Sequence, residues 1–204
     1  MRTLLVFILA LAALGILVGC GPSAPGQKGT EIVEAGEALA LVRGGAVLVD
    51  VQDALRYNRA HVAGAVNIAR ADIVVNYPLP GLAAPPEQIE EVMGSRGIGN
   101  DSLVVAYDAT QNMDAARLWW TLKYYGHDQV KVVSGGLDAL EAAGVEIGMD
   151  IPEVTPATFR AAPPRPEMII DTAGVRAQVD NPERSTVLLD VRTAEEYAEG
   201  TIPG

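Results

Sequence analysis

Asp108 opens a polar stretch, Asp108 to Asp114 (DATQNMD), that follows a short β-branched and aromatic run, Leu103 to Tyr107, and precedes an amphipathic stretch, Ala115 to Tyr125. A loop between the carboxyl end of a strand and the amino end of a helix aims several backbone N–H groups at one spot, so it can hold an anion. A carboxylate at Asp108 can act there as a general base or cap the local N–H groups, the commoner role of Asp in such turns. Arg117, on the helix, either faces a cleft and helps to hold an anionic substrate or is a solvated or ion-paired residue of little energetic weight. His61, in the run His61-Val-Ala-Gly-Ala65, is expected to tie its turn together by hydrogen bonds rather than to titrate. His127 follows a helix C-terminus, where a donor or cation is favourable without a further role. No pair of His, Cys, Asp and Glu has metal-ligand spacing, so neither metal nor cofactor is expected.

The elements that must position these groups follow from hydrophobic periodicity. Leu103 to Tyr107 is predicted as a buried strand. In the helix that follows, Ala115, Leu118, Trp119, Leu122 and Tyr125 make one apolar face, Arg117, Thr121 and Tyr124 the other, and Gly126 ends it. Trp119 and Trp120 are expected in core and interdomain packing. Further strands are predicted at Ile32-Val33, Val47 to Val51, within His61 to Ile68, and at Val130 to Val133. Helices are predicted after the first strand, carrying Ala38, Leu39 and Val42, at Ala54 to Tyr57, at Glu87 to Met93 behind Pro86, and at Leu137 to Ala143 before Gly144; Tyr77 to Pro86 is a Pro-rich surface loop. Strands alternating with helices at this spacing imply a largely parallel sheet covered on both faces.

Ile151 to Pro166 holds five prolines in sixteen residues and is expected to be a linker. Beyond it the chain begins again: Val187 to Tyr197 aligns without gaps on Val47 to Tyr57 at an offset of 140 residues, and Gly204 falls on Gly64. Asp50 and Asp190 end the two equivalent strands and are expected to fix the turns after them. Arg192 stands where the first copy has Gln52, which makes it the candidate for a role specific to the second copy, a structural ion pair being the alternative. The second copy stops before its equivalent of the central strand and loop. The expected organisation is a signal segment at 1–19, a tether at 20–29, a first domain at 30–150, a linker at 151–166, and the N-terminal part of a second, truncated domain at 167–204.

The chain has 204 residues, a net charge of -11 and no basic patch, which argues against a nucleic-acid partner. Met1-Arg2-Thr3 and the apolar run Leu4 to Val18 have the anatomy of a secretory signal. That run of fifteen residues is shorter than the roughly 20 that span a bilayer. It ends in Leu17-Val18-Gly19-Cys20, which resembles the lipobox of bacterial lipoproteins. The resemblance implies acylation of Cys20, the sole cysteine, and a lipid-anchored, extracytoplasmic protein, on the periplasmic side in a Gram-negative host. Gly21 to Gly29 would be the tether between membrane and domain.

Taken in order, LVDV at Leu48 to Val51, Tyr57, His61 to Ile68, VVAYD at Val104 to Asp108, AARLWW at Ala115 to Trp120, Tyr125-Gly-His127, Val133-Ser-Gly-Gly136, and the LLDVR and Ile-Pro-Gly204 pieces of the second copy resemble the rhodanese family, in particular its tandem-domain sulfurtransferases acting on thiosulfate or 3-mercaptopyruvate. The resemblance implies an α/β fold: a five-stranded parallel sheet flanked by helices, with a second partial copy of the same domain. It also implies that the position held here by Asp108 is the Cys of active members, where the loop amides lower the thiol pKa and stabilise a persulfide. A carboxylate cannot carry transferable sulfur, so the first domain is expected to be catalytically silent. The expected function is transfer of sulfane sulfur from a small anionic donor, thiosulfate or 3-mercaptopyruvate, to cyanide or a thiol, through a cysteine persulfide of the second domain. The alternative is a non-catalytic binding or scaffold module of the cell envelope.

Overall fold

The computed structural model describes residues 31–203, so the signal segment, Cys20 and the tether lie outside the described residues. Its centre is a five-stranded sheet in the order β1-β8-β7-β2-β4, every neighbouring pair parallel. The strands are β1 (Ile32–Val33), β2 (Val47–Asp50), β4 (Val66–Asn67), β7 (Val104–Tyr107) and β8 (Val130–Val133). Side chains alternate across it as strand geometry requires. Val49, Val104, Ala106, Val130 and Val132 meet α3 (Pro86–Ser95) and α4 (Met113–Tyr124) through Ile89, Met93, Leu118 and Leu122. On the other face Leu48, Val105, Tyr107 and Val133 meet α1 (Ala35–Arg43) and α5 (Gly136–Ala142) through Ala38 and Leu140. Each fully buried Val or Leu contributes about 1.5–3 kcal/mol, which is why near-continuous apolar runs form the inner strands.

The stretch expected to re-enter the sheet at His61 to Ile68 divides in two. Its end forms edge strand β4, whereas β3 (His61–Val62) leaves the sheet and pairs antiparallel with β9 (Ile147–Gly148). Between Val62 and Val66 the chain turns at Gly64, whose φ of 82° is left-handed. The Pro-rich loop likewise contains a strand, β6 (Leu82–Ala83), paired with β5 (Val74–Val75).

Helix α4 begins at Met113, two residues before the expected start, and its opposite face is not solvent. Thr121 is buried, and Tyr124 packs against the core. The segment expected as a linker explains this: residues 151–165 have no regular structure but lie along the domain as a strap. Phe159 is buried beside His127, the Ala162 and Arg165 amides donate to the carbonyls of Tyr125 and Tyr124, and Arg165 chelates Asp128 at 2.8 and 2.9 Å. At Gly94 a Cβ would lie 2.7 Å from the Ala157 carbonyl oxygen, so only glycine lets the strap approach there.

After the strap come α6 (Thr172–Asp180) and α7 (Ala194–Glu199), the latter capped by Thr193 in a reciprocal box with Glu196. Between them, Val187 to Val191, the sequence equivalent of β2, forms no ladder and stands exposed. A strand is made by its neighbours, and here the described residues supply none.

Candidate active-site loop and its relatives

Strand β7 delivers Asp108 to the carboxyl edge of the sheet, and the next residues wrap its carboxylate. Oδ1 accepts the amides of Thr110 (3.0 Å) and Asn112 (2.8 Å); Oδ2 accepts those of Asp114 and Ala115, each at 2.8 Å. Two of these donors are orphan N–H groups of the first turn of α4, so Asp108 caps that helix from a distance while its N-cap residue, Asn112, makes no side-chain cap. Gln111 and Asn112 both have left-handed backbones, with φ of 58° and 68°, a conformation the closed loop must hold in place. Asp108 is 1% exposed. Of its two expected roles, the structure shows the cap: an anion cradle whose anion is the chain's own.

The loop is braced from β8. The Leu137 amide donates to the Asp108 carbonyl at 2.8 Å, and Gly136 passes so close to that oxygen that a side chain there would collide with it. Asp108, Gln111, Asn112, Gly136 and Asp138 line a depression of about 490 Å³ at this edge. With four amides engaged and two carboxylates, Asp108 and Asp138, in its lining, the depression disfavours an incoming anion.

Beside the loop, a buried network fixes the ends of β2 and β7. The Tyr107 hydroxyl donates to Asp50 Oδ2 at 2.6 Å and accepts the Val62 amide, while the Gln52 amide and side chain donate to the same carboxylate. Burial raises the Asp50 pKa from its ordinary value, and burial beside Asp50 raises that of Tyr107. His61 is buried, stacked on Tyr57, with its two ring nitrogens facing the carbonyls of Tyr57 and Asp150, which fits the structural role expected of it. His127 Nε2 bonds to the Gln129 carbonyl at 3.1 Å, and burial lowers its pKa, which disfavours the cation.

The structure does not bring the candidate residues together. Arg117 donates from Nη2 to the Gly81 carbonyl at 2.8 Å and lies 5.0 Å over the Trp120 ring. It is partly buried with no carboxylate partner among the described residues, so it is neither the solvated nor the ion-paired residue of the second expectation; burial, and then Arg70, lowers its pKa. Arg192 chelates Asp190, with Nη2 to Oδ2 at 2.6 Å, and also donates to the Gly200 carbonyl. Sequence reasoning missed the strap and the Asp50–Tyr107 pair. Phe159, the one aromatic residue in the Pro-rich stretch, was the available signal for the first.

The family described as the rhodanese-like domain matches residues 34–143, more than half of the chain. The chain belongs to the rhodanese family. Among its curated relatives, a putative thiosulfate sulfurtransferase of Mycobacterium leprae is 33% identical over 154 residues, covering 74% of this chain and 53% of the relative. A thiosulfate sulfurtransferase of Corynebacterium glutamicum is 30% identical over 151 residues, covering 72% and 48%. This rhodanese chain therefore spans about half the length of the curated relatives it matches. Its fold matches that of SseA, a 3-mercaptopyruvate sulfotransferase of Escherichia coli, with a TM-score of 0.73 at 22% identity over 83% of this chain and 68% of that one.

Proposed function

We propose that the whole protein is a sulfurtransferase whose chemistry belongs to its second repeat, the first rhodanese unit being a silent wall of the cleft. The observation that carries this reading is the filled cradle at Asp108: the first unit has no thiol to accept sulfur, and four amides of its loop already bind the chain's own carboxylate. Support for sulfur transfer comes from relatives named thiosulfate sulfurtransferase, and support for the second repeat comes from Arg192, a cation where the first copy has Gln52. A thiolate of the second unit would attack the outer sulfur of thiosulfate. The thiosulfate S–S bond breaks, sulfite leaves with the electron pair, and the persulfide passes its outer sulfur to cyanide or a thiol. With 3-mercaptopyruvate the same persulfide forms as pyruvate is released. The enzyme would be held at the extracytoplasmic face of the membrane by acylated Cys20, which fatty-acid labelling of wild type and of Cys20→Ser tests.

The second reading is a non-catalytic binding module, favoured by the lack of any cysteine after Cys20 in these 204 residues. The two are separated by assaying the protein encoded by the full reading frame, read past the Gly204 codon. Thiocyanate from thiosulfate and cyanide, with a mass gain of one sulfur atom on a second-unit cysteine, supports the enzyme; neither signal leaves the module. The 204-residue chain itself is expected to be inactive.

A further inference from the structure

A hollow of about 430 Å³ lies at the free edge of β4 and shares no lining residue with the depression at the Asp108 loop. Its walls are Tyr57 at the end of α2 (Ala54–Tyr57), Val66 on the edge strand, Arg96 at the end of α3, and Ile151, Pro152 and Val154 of the strap. The strap wall is fixed: a Cβ at Gly97 would lie 2.7 Å from Val154 Cγ1 and 3.1 Å from the Thr155 carbonyl. Asn58, Asn67 and Ser95 complete the wall beside Arg96, so the hollow has the size and the mixture of apolar wall and a few polar groups of a small-molecule site.

Arg96 is the one cation among the lining residues. Its Nε donates to the Asn67 carbonyl at 2.8 Å and its Nη1 to Ser95 Oγ at 3.2 Å, which orients the guanidinium but leaves Nη2 without a protein acceptor. Among the described residues no carboxylate lies within ion-pair distance of it, although the chain carries an excess of eleven negative charges. The bond to Asn67 explains one donor as a tie between α3 and the sheet; it leaves the charge of a guanidinium that lines the hollow without a carboxylate. A planar fork of this kind prefers a carboxylate. We propose that the hollow binds a small monocarboxylate with a short apolar body, the head on Arg96 and the body against Val66, Ile151 and Val154. The site is separate from the Asp108 loop and does not depend on sulfur transfer.

The test is NMR titration of the 204-residue chain with butyrate, with sulfate and butylammonium as comparison probes. Butyrate is expected to shift the Asn67, Arg96 and Val154 amides saturably, and Arg96→Gln to weaken it at least tenfold. Ile151→Glu alters an exposed position, so it preserves the fold; its carboxylate at the lip of the hollow is expected to compete and weaken butyrate likewise. Shifts that do not saturate, or that survive both substitutions, overturn the proposal. Equal binding of sulfate overturns the apolar half of it, and binding of butylammonium in place of butyrate overturns the role of Arg96.

Discussion

Val47 to Tyr57 and Val187 to Tyr197 are near-copies in sequence and opposites in structure. In the first, β2 lies between β4 and β7 and Val49 is 0% exposed; in the second, the equivalent Leu189 is 79% exposed and pairs with nothing. What both copies share is local. The amide two residues after each Asp returns to its carboxylate, Gln52 to Asp50 at 2.8 Å and Arg192 to Asp190 at 3.0 Å, and each short helix is capped by the residue before it, Asp53 or Thr193. A turn and a cap are written within a few residues, whereas a strand requires partners from far along the chain.

The sharpest way to break that contrast is a charge in each copy. Val49→Asp is expected to cost about 4 kcal/mol or more in urea unfolding, because it buries an unpaired carboxylate. Leu189→Asp should change stability by less than about 0.5 kcal/mol. Equal losses would mean that the second copy is packed after all. A milder comparison removes the caps: Asp53→Ala and Thr193→Ala should each cost their own helix about 1 kcal/mol, read from amide exchange of α2 and α7. A cap effect in one copy only would deny that the local code is shared.

The smallest effect is in titration. Burial raises the pKa of Asp50, whereas Arg192, mainly by hydrogen bonding, lowers that of Asp190. The Asp50 contribution to stability is therefore full below the unfolded pKa, ~3.9, and lost as pH rises through its raised value. That of Asp190 is present above ~3.9 and lost as pH falls through its lowered value. In carboxyl NMR, Asp50 should take its proton first as pH falls, and Arg192→Gln should return Asp190 toward the usual range. The reverse order would contradict the two environments.

The same division explains what the sequence made legible. The parallel five-stranded sheet, most of its helices and the capping role of Asp108 follow from alternating apolar periods and Asx chemistry, which act over a few residues. The exit of His61 and Val62 from the sheet was not legible, because their antiparallel partner Ile147–Gly148 lies more than eighty residues away. Nor was the burial of Thr121 and Tyr124, which depends on the strap that Phe159 anchors. At the loop, the sequence placed Asp108 against the amides but left Arg117 undecided, since its place beside Gly81 is set by a distant turn.

The central proposal, that the first unit is silent, rests on Asp108 itself filling the anion cradle. Hydrogen exchange at the amides of Thr110, Asn112, Asp114 and Ala115 tests it most directly, in wild type and in Asp108→Ala. All four should be protected in wild type and lose protection in the variant, with a stability loss of about 3–5 kcal/mol for four charge-assisted bonds, while the later turns of α4 stay protected. Four amides that exchange freely in wild type, or remain as slow without the carboxylate, would contradict the account.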